Sequence, residues 1–193
     1  MPAGAGGGTE VLALAASRAK PGELKMGHSG PGSIWHLAHA ALEDKVGVKY
    51  NAIPFGGAAS AVVALLGGDV DAVAVSPGEV ATHVAAGKLR TLAVMADKRL
   101  KGFDNVPTLQ ERGMDLSIGT WRGLAAPKAT PAEVLAVLTE ATRKAAAAEP
   151  VLKDALDRLS MGYAYADGDT FRADMRRDNE QFRVLVAKLG LKG

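Results

Sequence analysis

Residues 24–95 read LKMGHSGPGSIWHLAHAALEDKVGVKYNAIPFGGAASAVVALLGGDVDAVAVSPGEVATHVAAGKLRTLAVM. Short runs suited to strands alternate here with longer helical stretches. The spacing predicts strands over 24–27, 48–53, 70–75 and 89–95, and helices over 33–45, 58–66 and 79–86. Strand, helix and strand in unbroken succession argue for a parallel sheet with helices over its faces. The continuous apolar run Val73-Ala74-Val75 fits a strand covered on both sides. The fold class is α/β, a parallel sheet flanked by helices.

Beyond Met95 the rhythm changes. Asp97-Lys98-Arg99 and residues 102–107 form a polar, proline-punctuated loop, a short helix over 108–112 ends at Gly113, and 116–126 reads as an extended crossing segment. Thr130 is expected to cap the next helix, with Pro131 in its first turn and Glu133 at the capping-box position. That helix runs to residue 148, Pro150 opens another that ends near 160, 163–166 is a short extended run, and a last helix spans 170–189. The charges between Arg172 and Arg183 form a solvated face, with Phe171, Met175, Phe182 and Val186 turned inward. On the amino-terminal side, residues 1–8 are mostly glycine and alanine. They read equally as an anion nest before an apolar helix or as a flexible leader. Pro21-Gly22 stops that helix. The chain thus divides into a glycine-rich segment with a helix (1–23), a parallel α/β ligand-binding domain (24–118), and a crossing segment with a helical part (119–193).

Of the 193 residues 48% are hydrophobic, and Lys+Arg 23 against Asp+Glu 21 leaves a formal net charge of +2. This is the profile of a soluble globular protein, and the near balance gives no electrostatic footprint for nucleic acid. Cysteine is absent, which excludes disulfides, thiolate nucleophiles and cysteine-type zinc sites. The longest mainly apolar stretch, 58–66, falls far below the roughly 20 residues of a membrane-spanning helix. Residues 1–8 carry neither the basic flank nor the apolar block of a secretory signal. The expectation is that export is not used or that a leader lies outside this chain.

In a parallel sheet the chemistry is expected where strands turn into helices, at the carboxyl edge. Three such turns are rich in glycine and hydroxyl groups: His28-Ser29-Gly30-Pro31-Gly32-Ser33, Pro54-Phe55-Gly56-Gly57 and Ser76-Pro77-Gly78-Glu79. Glycines admit close backbone approach, hydroxyls add neutral donors, and helix N-termini bring positive dipole ends. Any one turn alone is ordinary turn chemistry. Three on one rim suit an anionic group, above all a carboxylate, and loop 29–33, with several unpaired N–H groups and two hydroxyls, is the expected principal site.

Other chemistries fit less well. There is no Gly-x-x-x-x-Gly-Lys-Ser/Thr, and Trp35 stands where a dinucleotide fingerprint needs its third glycine. Gly27-His28-Ser29-Gly30-Pro31 misses the nucleophile elbow at its fifth position. With no nucleophile and base pair, no enzyme is expected. His36 and His39 are three apart on one helix but have no acidic residue at metal-ligand spacing, so neither metal nor cofactor is expected. His36 reads as a donor to a ligand or as a packed helix residue. Core packing is the default for Trp35 and Trp121. Trp121, between Thr120 and Arg122 in the crossing segment, nevertheless stands where a binding protein places a cleft wall, and Arg122 has the chemistry to meet a carboxylate.

Ser29-Gly30-Pro31-Gly32-Ser33-Ile34-Trp35-His36-Leu37 resembles the SGxGSxxHL segment of the extracytoplasmic solute-binding proteins of tripartite tricarboxylate transporters, the TctC/Bug type. Further matches follow in family order: Pro54-Phe55-Gly56-Gly57, Leu65-Leu66-Gly67-Gly68-Asp69-Val70-Asp71, Ser76-Pro77-Gly78-Glu79 and Ala86-Gly87-Lys88-Leu89-Arg90-Thr91-Leu92-Ala93-Val94. Val106-Pro107-Thr108-Leu109 and Trp121-Arg122-Gly123-Leu124-Ala125-Ala126-Pro127 complete the run, which extends from residue 24 to the carboxyl end.

The resemblance implies a type II periplasmic-binding-protein-like fold in which two α/β domains close on a small carboxylate, a dicarboxylate or an aromatic acid. It implies delivery of that ligand to membrane transporter components, and a periplasmic location. The loop resembling Ser29, Gly30, Gly32 and Ser33, with His36, would hold one carboxylate. Phe55, Gly56, Gly57, Ser76, Pro77 and Gly78 would line the same cleft, with Trp121 added from the crossing segment. The family chain is longer and begins with a domain that supplies the opposite wall, so the carboxyl-terminal helices are expected to belong to an incomplete second domain. Gly56 also replaces the lysine usual in the family after this position. With one wall lacking, weak binding is expected, or a homodimer formed through Leu135, Leu138, Phe182 and Leu185. The competing reading is a ligand-sensing or protein-interaction module that keeps the fold without transport.

Overall fold

The computed structural model describes residues 21–147, 149–158, 163 and 165–191; the expectations for 1–20 lie outside them. The described residues form two units, one of 21–119 together with 185–191, the other of those within 120–184.

In the first unit β1 (Lys25–His28), α1 (Ile34–Val46), β2 (Asn51–Pro54), α2 (Ala58–Gly67), β3 (Ala72–Val73) and α3 (Pro77–Ala85) follow one another. The strand order is β2-β1-β3 and both pairings are parallel. Lys25 lies opposite Asn51 and His28 opposite Pro54, while Met26 and Gly27 face Ala72 and Val73. Because β1 is central and all strands run the same way, the three strand-to-helix turns leave from one edge, with His28–Ser33 between the other two.

Local chemistry sets the helix ends. Ser33 caps α1 through its side-chain oxygen, which accepts the His36 N–H at 3.3 Å. Gly47, at φ 66°, closes the helix by donating to the Glu43 carbonyl. The face made by Leu37, Ala38, Ala41 and Leu42 is buried, and each leucine withdrawn from water contributes about 1.5–3 kcal/mol. In α2 the buried residues are Ala58, Ala61, Val62 and Ala64, and Gly68 ends the helix at φ 81°. Gly27 answers a packing need: a Cβ there would stand 3.1 Å from both the Phe55 ring and the Val73 side chain.

Three expected strands shrink, that of 48–53 to Asn51–Pro54. β3 has two residues instead of spanning 70–75, because its ladder on β1 stops at Gly27. Residues 89–95 form no strand; Val94 alone bridges to Thr108. The neighbouring Pro107 accepts from the Val94 N–H but has no N–H of its own to extend the ladder. The helix expected at 108–112 is a single 3-10 turn, Gln110–Arg112, ended by Gly113 at φ 77°.

The second unit contains α4 (Ala132–Ala147), α5 (Glu149–Arg158) and most of α6 (Gly168–Lys188). Thr130 does not cap α4: the Pro131 carbonyl accepts the N–H groups of Val134 and Leu135, which makes Pro131 the cap position. Asp167 caps α6, accepting the Thr170 N–H at 2.8 Å, so this helix starts two residues before the expected 170. Met175 is exposed rather than inward. Burial on α6 is concentrated at Leu185, which belongs to the first unit, while Phe171, Phe182 and Val186 are half-buried. Leu135 and Leu138 are exposed as expected, but Leu185, at 5% exposure, offers no free surface for a second copy.

Candidate functional site

The turn after β1 is held by hydrogen bonds of its own. Gly30 and Gly32 adopt φ values of 106° and 71°, a region that favours glycine. The Ser33 N–H donates to the Gly30 carbonyl at 3.2 Å and closes the turn. His28 Nδ1 lies 3.0 Å from the same carbonyl, and the Gly32 N–H donates to His36 Nδ1 at 3.1 Å. A carbonyl only accepts, so His28 carries its proton on Nδ1; a backbone N–H only donates, so His36 Nδ1 is bare. The two rings stack with centroids 4.3 Å apart and planes 10° from parallel, and His39 meets His28 edge-on at 5.5 Å.

All three imidazoles are held below their ordinary range. For His28 the cause is burial first and then the nearby His36; for His36 it is burial, opposed by Glu43. His39 is pushed down to about 3, by burial and then by His28 and His36. The cluster is neutral at neutral pH. Among the described residues no group of three or more histidine or acidic side chains is placed to hold a metal ion.

These bonds correct the expectation of several unpaired N–H groups in the loop, because those of Gly32, Ser33 and His36 are used inside the turn. The N–H groups of Gly30, Ile34 and Trp35 meet no acceptor among the described residues. Ser33 Oγ, having accepted from His36, keeps its hydrogen for an outside acceptor.

The second turn is tied to the first, since the Phe55 N–H donates to the His28 carbonyl at 2.9 Å. Gly57 brings no side-chain cap, and the first-turn donors of α2 have no acceptor among the described residues. The third turn carries an acid of its own: the Ser76 N–H donates to the Glu79 carboxylate at 2.9 Å, and the Glu79 N–H to the Ser76 carbonyl at 3.1 Å. Its helix dipole therefore has an acidic partner of its own. The Ser-x-x-Glu spacing carried that signal in the sequence. His28 and His39, which the sequence reading left without roles, complete the cluster around His36.

Trp121 falls in the second unit. Its indole N–H donates to Asp178 at 3.1 Å and its ring meets Phe171 edge-on at 4.7 Å, leaving it 48% exposed. Arg122 is turned onto the Trp121 carbonyl at 3.0 Å. Among the described residues no helix is long and apolar enough to cross a membrane.

A family model described as the tripartite tricarboxylate transporter family receptor, TctC, matches residues 9–191. The chain belongs to this family. A TctC solute-binding protein from Polaromonas, solved without ligand, is similar at a TM-score of 0.83 and 52% identity over 96% of this chain and 63% of that one. MatC from Rhodopseudomonas palustris, solved with bound malate, is similar at a TM-score of 0.62 and 25% identity, covering 79% of this chain and 51% of that one. A Cupriavidus necator protein described as the UPF0065 protein in the gbd 5′ region is 33% identical over 178 residues, 92% of this chain and 54% of that protein. The chain thus spans about half the length of the curated relatives it matches. The expected α/β fold of the TctC type, a parallel sheet flanked by helices, is the one observed.

Proposed function

We propose that this TctC-family chain is a non-catalytic receptor that binds a small organic carboxylate, a dicarboxylate or an aromatic acid, at the carboxyl edge of its sheet, and presents it to membrane transporter components in the periplasm. The observation that carries the reading is the turn 29–33. It stands at the N-terminus of a 13-residue helix, with the hydroxyls of Ser29 and Ser33 and the N–H groups of Gly30, Ile34 and Trp35, which have no acceptor among the described residues, beside it. Uncharged donors at a helix N-terminus match an anion without needing a counter-charge. Phe55, Gly56 and Gly57 flank this turn on one side and Ser76, Pro77 and Gly78 on the other. The Glu79 carboxylate on the third turn supports a reading in which the ligand's anionic group sits at the first two. The malate bound to MatC supports the same ligand class.

Calorimetric titration with malate and with benzoate tests the reading. One hydrogen bond to a charged group is worth about 1.5–3 kcal/mol, so Ser33→Ala should weaken binding by roughly tenfold to more than a hundredfold. Mass spectrometry should recover the ligand intact. Unchanged affinity of Ser33→Ala would remove this turn from the site, and protein-dependent conversion of the ligand would remove the receptor reading.

A further inference from the structure

We propose that His36 is a positioning residue of the carboxylate loop rather than a ligand contact: its bare Nδ1 holds the Gly32 N–H while the stacked His28 holds the Gly30 carbonyl, and together they fix the shape that presents the remaining donors. The inference rests on reading turn 29–33 as the carboxylate site. Two glycines at positive φ, separated only by Pro31, have more backbone freedom than any other residue type to lose on ordering. Each is anchored by one imidazole, at 3.0 and 3.1 Å. The anchors work only in opposite tautomers, with His28 protonated on Nδ1 and His36 on Nε2. A second proton on His36 would set a donor against the Gly32 donor and release the loop. The titratable groups that reach His36 are His28 from β1 and His39 and Glu43 from α1. Glu43 is itself tied to the Lys49 ammonium at 2.8 Å and the Tyr50 N–H at 2.7 Å. A Cβ at Gly32 would stand 3.8 Å from the apolar Leu191 side chain.

Nitrogen-15 NMR of the whole chain near neutral pH reads the tautomers directly and needs no ligand. The expected result is His36 protonated on Nε2, His28 protonated on Nδ1, and a Gly32 amide resonance that moves in step with His36 on acidification. A His36 protonated on Nδ1 at neutral pH would overturn the proposal. The second arm compares malate affinity in His36→Leu, which has no acceptor, His36→Gln, whose acceptor lies where Nε2 was, and His36→Asn, whose amide oxygen lies where Nδ1 was. Leu and Gln are expected to lose about tenfold or more, and Asn to recover most of that loss, with melting curves confirming that each variant is folded. Equal losses in all three would overturn the positioning role. If the tautomers and the Gly32 shift are as expected but neither malate nor benzoate binds, the loop anchor stands and the carboxylate reading fails.

Discussion

His39 is 2% exposed, and neither of its ring nitrogens meets a partner among the described residues. A neutral imidazole always carries one N–H, and burying such a donor without an acceptor costs about 1–3 kcal/mol. The ring also resists protonation, its pKa lowered from 6.5 to about 3 by burial and then by His28 and His36. Between those values the unfolded chain binds a proton that the folded chain refuses. The stability present above 6.5 is therefore lost as the pH falls toward 3. Moving from about pH 7.5 to about pH 5 should cost roughly 2 kcal/mol through this group. His39→Leu should be at least as stable near neutrality and lose less on acidification, by urea unfolding at both pH values. The same pH slope in both proteins would clear His39 of the effect. The sequence placed His36 and His39 on one helix by their spacing, but it could not show that His28 closes the cluster, because that depends on how the strand delivers the turn.

Among the secondary-structure elements, what was legible was what local chemistry decides. The expected helices 33–45 and 58–66 appear as α1 (Ile34–Val46) and α2 (Ala58–Gly67), because Ser33, Gly47 and Gly68 fix their ends from within the chain. Strand lengths were not legible, because a ladder needs a partner: 89–95 reduces to Val94 beside Pro107, which has no N–H. The glycines and hydroxyls of the first turn were visible too. The use of the Gly32 N–H by His36 was not, since it depends on a side-chain rotamer. Packing between elements is close at Gly27, where β1 lies under Phe55. A methyl group there, 3.1 Å from Phe55 and Val73 atoms, should destabilise the protein by about 1–3 kcal/mol. Gly119→Ala, with nothing within 4 Å of its Cβ position, should stay within about 0.5 kcal/mol of the parent. Denaturant unfolding of the two variants decides it, and equal losses would mean that contact at Gly27 is not the cause.

Across the whole molecule, the two tryptophans fall one to each unit: Trp35 in the first turn of α1, and Trp121 among residues 120–184. The Trp35 backbone N–H has no acceptor among the described residues, and replacing its side chain with phenylalanine keeps that donor. Each single variant therefore leaves one emitter, and each emitter reports one unit. In Trp121→Phe, saturating malate is expected to shift or quench the remaining Trp35 emission, because a carboxylate on the turn 29–33 changes the field at the next residues of the helix. In Trp35→Phe the same titration interrogates Trp121, whose indole N–H is committed to Asp178 and whose ring edge is set against Phe171. The sequence reading of Trp121 as a ligand contact predicts a change there as well. Unaltered Trp121 emission at unaltered calorimetric affinity would strike Trp121 from the ligand set, whereas unaltered Trp35 emission while malate binds would move the ligand away from the first turn altogether.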